Sequence, residues 1–171
     1  MQELRRLDVI YVPTPQRVVD KMLAVADIRE DDVLYDLGCG DGRLVITAAK
    51  KYGIRAYGFD ADPERIRESK ENARKAGVED LVTFEQRDFF TIDLSPATVV
   101  TLYLTPELNA ELIPQFQQLR PGARIVSHDF DMEGVEHERS WTVVAEDHQV
   151  PEERIHYVYR WRTPLRMNRM Y

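Results

Sequence analysis

Residues 35–43 have the sequence Tyr-Asp-Leu-Gly-Cys-Gly-Asp-Gly-Arg, which joins an apolar run to a helical pattern that starts at Leu44. Glycine has no Cβ, so three glycines at alternate positions allow a sharp turn and the close approach of a ligand to the main chain. A strand, a glycine turn and a helix in this order are typical of an open parallel sheet with helices on both faces. The stretch predicts such a fold, with a ligand site at the turn.

Two acids distinguish between two classes of ligand for this turn. Dinucleotides and S-adenosylmethionine both bind glycine turns between a strand and a helix. Asp36 precedes the glycines and Asp41 lies among them, where their charge would repel a pyrophosphate but attract an ammonium and a sulfonium. No Gly-Lys-Ser/Thr follows, so a Walker A loop is excluded. The residues therefore favour S-adenosylmethionine as cofactor.

Length and composition predict a single domain over residues 1–165, followed by a tail over 166–171. The chain has 43% hydrophobic and 31% charged residues, which is typical of a soluble globular protein without a membrane span. The single cysteine, Cys39, lacks a partner or metal-ligand spacing, so we expect a reducing cytoplasmic location and no metal. A formal net charge of −7 argues against nucleic acid and favours a basic partner surface. A monomer is favoured.

The remaining chain alternates between strand and helix patterns as far as residue 130. After an extended, proline-containing segment, Thr14 is a candidate N-cap for a helix that continues to Ala26; together they make up the N-terminal segment 9–26. A further helix is predicted over residues 107–119. Strands are predicted over residues 32–37, 56–60, 81–85, 97–104 and 123–127, with a closing antiparallel pair over 141–145 and 155–161. The predicted fold is a Rossmann-like, doubly wound, mostly parallel α/β sheet with a C-terminal antiparallel hairpin.

Several polar and aromatic residues follow the ends of these predicted strands. Because ligands bind at the carboxyl ends of parallel strands, we expect these residues to share one edge of the sheet. They are Asp60, Asp88, Tyr103, His128 and Asp129.

Three motifs in this order resemble class I S-adenosylmethionine-dependent methyltransferases: Asp-Leu-Gly-Cys-Gly-Asp-Gly at 36–42, Gly-Phe-Asp at 58–60 and Arg-Asp-Phe-Phe at 87–90. Three narrower motifs are similar to small archaeal protein-lysine methyltransferases and to the mitochondrial family that modifies the c-ring protein of ATP synthase. They are Tyr-Val-Pro-Thr-Pro at 11–15, Thr-Leu-Tyr-Leu at 101–104 and Ser-His-Asp-Phe at 127–130. The resemblance covers nearly the whole chain as far as Phe130.

The resemblance implies roles for individual residues. Asp36 would lie near the cofactor's ammonium, Asp60 would accept the ribose hydroxyls and Asp88 the adenine amino group. Tyr11 and Thr14 would form a lid that orders when the cofactor binds. The full cofactor set is Tyr11, Thr14, Asp36, Gly38, Gly40, Asp60, Ala61, Asp88, Phe89 and Tyr103, and the candidate catalytic residues are Tyr103, His128 and Asp129.

The sequence leaves three functions open. The resemblance favours transfer of methyl to lysine Nε of a basic protein substrate. The second is a small-molecule or nucleobase methyltransferase. Other amine methyltransferases have an Asn/Asp-Pro-Pro-Tyr/Phe motif, of which this sequence has only the aromatic residue, Tyr103. This argues against a nucleobase substrate. The third is a non-catalytic S-adenosylmethionine-binding module. For His128 and Asp129, a role as a base or amine-orienting pair and a structural role are both open.

Overall fold

The structure, a computed structural model, describes residues 12–168. Tyr11 and the beginning of the predicted N-terminal segment lie outside the described residues. The strands are β1 Val33–Leu37, β2 Arg55–Asp60, β3 Val82–Gln86, β4 Val99–Leu102, β5 Arg124–His128, β6 Val135–Glu136, β7 Arg139–Asp147, β8 Val150–Arg162 and β9 Arg166–Met167. The helices are α1 Gln16–Val25, α2 Arg43–Tyr52, α3 Pro63–Ala76, α4 Pro106–Glu111 and α5 Ile113–Phe116.

Seven strands form one sheet in the order β3-β2-β1-β4-β5-β8-β7. The first five pair in parallel, and β8 joins β5 antiparallel, as does β7 with β8. The predicted mostly parallel sheet with a closing antiparallel hairpin is confirmed. The order reverses between β1 and β4, which is where ligands bind in sheets of this kind.

Two cores cover the two faces of this sheet. Helices α1, α2 and α3 pack on one face through apolar residues at helical spacing, such as Val18 and Met22 of α1. Helices α4 and α5 contribute Leu108, Ile113 and Phe116 to the other core. Strands β4 and β5 are buried along their whole length. The nearly continuous apolar sequence of β4 predicts this, whereas β5 also buries Arg124, Ser127 and His128.

Two predicted helix details are wrong. Thr14 is not an N-cap: α1 begins at Gln16, Pro15 occupies the N-cap position, and no side-chain capping bond forms. The helix predicted over residues 107–119 is divided into α4 and α5. Pro114 lies in the first turn of α5 and has no N–H to donate to a carbonyl of the preceding turn.

The C-terminal region is more ordered than predicted. The hairpin of β7 and β8 extends well beyond residues 141–145 and 155–161. Arg166 and Met167, predicted to begin a loose tail, form β9 and pair antiparallel with β6. Among the described residues, we find no helix with the length and apolar content needed to span a bilayer.

Candidate functional site

A cavity of about 550 Å³ lies at the carboxyl ends of β1, β2 and β4, which is the size of a typical small-molecule site. Most of the predicted cofactor residues line it, namely Thr14, Asp36, Gly38, Gly40, Asp60, Ala61, Phe89 and Tyr103. The glycine turn, Asp60 and Tyr103 of the predicted edge therefore share one cavity.

The glycine turn forms one wall of this cavity. The backbone N–H of Gly38 donates to the Phe59 carbonyl of β2 at 2.8 Å, which ties the turn to the neighbouring strand. Gly38 has a φ of +84°, and a Cβ there would point toward Leu104 at 3.4 Å and Phe89 at 3.6 Å. All three of these residues line the cavity, so a side chain at Gly38 would occupy ligand space.

Asp36 is a buried carboxylate on the cavity wall. Its Oδ1 accepts a hydrogen bond from the Thr101 hydroxyl at 2.7 Å, across the register pair that joins β1 to β4. Burial, together with the charges of Asp60 and Asp41, raises the pKa of Asp36 to about 7, although the bond from Thr101 opposes the rise. A cation in the cavity would stabilise the ionised form of this carboxylate.

Asp60 connects the end of β2 to the glycine turn. Its Oδ2 accepts from the Gly40 N–H at 3.0 Å, and its Oδ1 accepts from the Asp62 N–H at 3.0 Å. Burial raises the pKa of Asp60, and these two backbone bonds hold the rise in check. A carboxylate has about four lone-pair positions, so each oxygen can accept a further bond from a ligand hydroxyl.

Arg43 holds the N-terminal segment against the glycine turn. Its Nη1 donates to the Thr14 carbonyl at 2.9 Å, and its Nη2 pairs with Asp41 Oδ2 at 2.7 Å. The Thr14 hydroxyl, left unused by the helix cap, lies 3.1 Å from His128 Nδ1. The carbonyl of Thr14 is thereby bonded to Arg43 of the cavity wall, and its hydroxyl is bonded to His128.

Tyr103 also lines the cavity, and its ring lies beside two others. Its ring centroid is 3.9 Å from that of His128 and 5.9 Å from that of Phe130, which also lines the cavity. Burial raises the pKa of Tyr103, and the Asp129 charge raises it further while Arg154 opposes the rise. Tyr103 is a neutral hydroxyl at physiological pH.

His128 and Asp129, the other candidate catalytic residues, lie behind Tyr103 rather than on the cavity wall. His128 is fully buried, and burial lowers its pKa to about 3 although the nearby Asp129 charge opposes this. Asp129, at a φ of +64°, accepts from Arg154 Nη2 at 2.6 Å and from the Tyr157 N–H at 3.0 Å. Burial acts to raise the pKa of Asp129, but Arg154 together with His128 and the Tyr157 amide brings it below its ordinary value. Their assignment as catalytic stays a prediction.

Asp88 also lies outside the cavity lining. It is exposed, and its carboxylate accepts from the Phe90 N–H at 3.1 Å at the start of a short 3-10 turn, Phe89–Thr91. Phe89 of the same turn lines the cavity. The role of Asp88 as partner of the adenine amino group stays a prediction. The lid role of Tyr11, which lies outside the described residues, also stays a prediction.

Sequence reasoning missed several residues of the site. Phe130 directly follows His128 and Asp129, so its ring could have been included among the predicted site residues. Gln149 reaches the cavity from the turn between β7 and β8, and no local signal marks it. The missed lining residues include Arg43, Arg65, Leu104, Thr105, Phe130 and Gln149.

The residues present fit S-adenosylmethionine. Asp36 and Asp60 supply buried acceptors for an ammonium and for hydroxyls, and Phe89 offers an aromatic face.

Comparison with known proteins agrees with this site. Residues 36–139 match the model of the ANTKMT methyltransferase domain. The chain is 47% identical over 126 residues to a protein-lysine N-methyltransferase of Saccharolobus islandicus, covering 72% of this chain and 78% of that protein. It is 33% identical over 129 residues to the adenine nucleotide translocase lysine N-methyltransferase of Mus musculus, covering 74% of this chain and 56% of that protein.

A solved structure is similar over almost the full length. It is an RNA methyltransferase from Salinibacter ruber in complex with S-adenosyl-L-homocysteine, with 51% sequence identity and a TM-score of 0.79. The match covers 90% of this chain and 94% of that one. With the family match over most of the sheet, this shows that the chain is an S-adenosylmethionine-dependent methyltransferase and belongs to the ANTKMT methyltransferase domain family.

Proposed function

We propose that the chain transfers methyl from S-adenosylmethionine to the Nε of a lysine in a protein substrate. The observation that carries the proposal is that one cavity is lined both by the rings of Tyr103 and Phe130 and by the carboxylates of Asp36 and Asp60. Aromatic faces attract alkylammonium groups, which suits a lysine entering from that side. The Saccharolobus and Mus relatives support the same acceptor.

RNA is the alternative acceptor, because the similar Salinibacter structure is that of an RNA methyltransferase. A formal net charge of −7 and a pI near 5.2 disfavour it, since nucleic-acid binding relies on Lys and Arg contacts to phosphates. The same charge favours a basic protein substrate. A cytoplasmic location and a monomeric state stay predictions.

Different residues of the cavity would hold different parts of the cofactor. Asp36 would accept from the ammonium, Asp60 from the ribose hydroxyls, and Phe89 would pack on the adenine, with the main chain at Gly38 and Gly40 approaching closely. When bound, S-adenosylmethionine supplies a methyl group on a sulfonium, which is already an activated leaving group. The protein therefore needs no nucleophile of its own.

The protein contributes alignment of the acceptor amine. The Tyr103 ring lies against those of His128 and Phe130, and its hydroxyl interacts with Arg154, so the position of this side chain is fixed. Because burial raises its pKa, the hydroxyl keeps its proton and can orient an amine by a hydrogen bond. The lysine must reach this position without its extra proton, since only the neutral amine has a lone pair.

Chemical blocking of the acceptor tests this function. Lysate proteins are acetylated at their lysines or mock-treated, and each pool is then incubated with the purified chain and radiolabelled cofactor. We expect labelling of the mock-treated pool and loss of nearly all of it after acetylation. Equal labelling of the two pools would contradict a lysine acceptor.

Cofactor affinity should depend on the ionisation of Asp36. Because the pKa of Asp36 is raised to about 7, the carboxyl is largely protonated at pH 6 and attracts an ammonium weakly. The binding constant for S-adenosylmethionine should therefore increase several-fold from about pH 6 to about pH 7.5, below the range where a free α-ammonium titrates. Isothermal calorimetry measures this, and Asp36→Asn should bind weakly with no such increase. A wild-type binding constant that is flat over this range would contradict the role given to Asp36.

Salt should weaken the encounter with a basic substrate. The acidic protein attracts lysine-rich chains over distances that salt screens, so kcat/KM for such a protein should fall as salt rises from about 0.05 M to about 0.5 M. The rate at saturating substrate serves as the control and should change much less. A kcat/KM that does not respond to salt would remove electrostatic attraction from the account.

A further inference from the structure

Two buried histidines connect the cavity wall to the C-terminal hairpin. His128 Nε2 lies 2.8 Å from His156 Nδ1, and His156 Nε2 lies 2.9 Å from the Glu146 carbonyl oxygen. At the other end, His128 Nδ1 lies 3.1 Å from the Thr14 hydroxyl. A continuous chain of hydrogen bonds thus runs from β7 through β8 and β5 to the N-terminal segment.

With neutral rings, the carbonyl at one end fixes the direction of every hydrogen bond in this series. A carbonyl oxygen only accepts, so His156 must carry a proton on Nε2, and in a neutral ring its Nδ1 is then an acceptor. His128 must therefore donate from Nε2, which leaves its Nδ1 as an acceptor for the Thr14 hydroxyl. This arrangement requires both rings to be neutral, and burial does lower the pKa of His128 to about 3.

The charges beside the chain agree with this direction. Asp129 Oδ2 lies 3.5 Å from His128 Nε2 and 4.0 Å from His156 Nδ1, on the side where the His128 proton is placed. Arg154 pairs with the same carboxylate oxygen at 2.6 Å. His128, Asp129 and His156 each have an atom that could coordinate a metal ion, and these atoms lie within 4.8 Å of one another. A metal ion there would compete with the hydrogen bond between the two rings and with Arg154.

We propose that His156 is a positioning residue for cofactor binding. By fixing the tautomer of His128, it makes Nδ1 the acceptor that holds Thr14 at the cavity. It also fixes the His128 ring against which Tyr103 lies at 3.9 Å. The inference rests on cofactor binding, which the family establishes, and does not depend on the identity of the methyl acceptor.

Two variants of His156 separate its hydrogen bonds from its volume. His156→Phe keeps a ring but removes both bonds, whereas His156→Gln keeps an amide that can donate and accept. We expect His156→Phe to raise the dissociation constant for S-adenosylmethionine about three- to tenfold, as the loss of one hydrogen bond does, and His156→Gln to recover part of the loss. His137→Phe is the matched control, because His137 takes no part in this series of hydrogen bonds. It should leave the dissociation constant unchanged.

A double-mutant cycle tests whether His156 acts through Thr14. Thr14→Val removes the last bond of the chain, so His156→Phe combined with Thr14→Val should bind the cofactor about as well as the weaker single variant. Hydrogen exchange at the amides of residues 14 and 16 should be faster in all three variants than in the wild type. Losses that multiply in the double variant would overturn the proposal.

The wild-type protein supplies an independent measurement that needs no variant. Nitrogen-15 NMR of the imidazoles should show His128 and His156 both neutral, with the proton on Nε2 in each. His128 protonated on Nδ1, or a charged ring near neutral pH, would contradict the proposal even if the His156 variants fail to fold.

Discussion

Replacing Asp60 with alanine is expected to weaken binding of S-adenosylmethionine about 10- to 100-fold, which is the effect of losing hydrogen bonds to a charged acceptor. Two consequences add together. The cofactor loses an acceptor for its hydroxyls, and the glycine turn loses the bond from Gly40 N–H to Asp60 Oδ2, 3.0 Å long, that holds it to β2. Isothermal calorimetry measures the binding constant directly.

Asp93→Ala is the matched control for Asp60→Ala. Asp93 is also a carboxylate that accepts from a backbone amide, that of Ser95 at 3.0 Å, but it lies away from the cavity lining. Its replacement should leave cofactor affinity within about twofold. Thermal unfolding of both variants shows whether the Asp60 effect is confined to the site. Unchanged affinity in a folded Asp60→Ala protein would remove Asp60 from the cofactor site.

The second large effect concerns the pH dependence of turnover. A lysine with a pKa of about 10.4 is almost fully protonated at neutral pH, so the fraction available as a nucleophile rises about tenfold per pH unit. At saturating cofactor and acceptor we expect the rate to rise about tenfold per pH unit between about pH 6 and about pH 8, until the bound lysine titrates. A pH-independent rate over this range would contradict the proposal that the amine must first lose its proton.

The site residues do not account for such a rise themselves. Burial lowers the pKa of His128 to about 3, and burial raises that of Tyr103, so neither changes charge between pH 6 and pH 8. Asp36 does titrate there, but saturating cofactor removes its effect on binding.

Tyr103→Phe tests the alignment of the amine. Without the hydroxyl, we expect kcat to fall about 10- to 100-fold, as small errors of alignment in transfer reactions do, while cofactor affinity stays within about twofold. Tyr157→Phe is the matched control, because Tyr157 is exposed and lies outside the cavity lining. If Tyr103→Phe keeps full turnover, the hydroxyl has no part in orienting the acceptor.

Local patterns in the sequence were sufficient to predict the sheet and the cofactor end of the site. The glycine turn and the acid at the end of β2 lie on consecutive strand-helix units, so their spacing along the chain determines where they meet. The helix end at Gly53 was predictable in the same way, because glycine ends a helix by its own backbone geometry.

The hydrogen bonds that join His128 to His156 and Thr14 connect distant residues and were not predictable. His156 lies on hairpin strand β8, and no local pattern marks it as buried beside His128 of β5. Thr14 has the side chain and position of an N-cap, but its hydroxyl bonds to His128 instead. In both cases a tertiary hydrogen bond outweighed the local preference, and no sequence pattern marks such a bond.

The acceptor itself is tested most directly by mass spectrometry of what the enzyme labels. A lysate of the native host cells, depleted of cofactor, is incubated with the purified chain and S-adenosylmethionine bearing a heavy methyl group. The products are divided for protease and ribonuclease digestion, and the modified atom is identified in each. We predict that heavy methyl is found on lysine Nε in peptides and that ribonuclease treatment before the reaction does not reduce it. Heavy methyl found in nucleotides or in small molecules, with lysine unlabelled, would contradict the account.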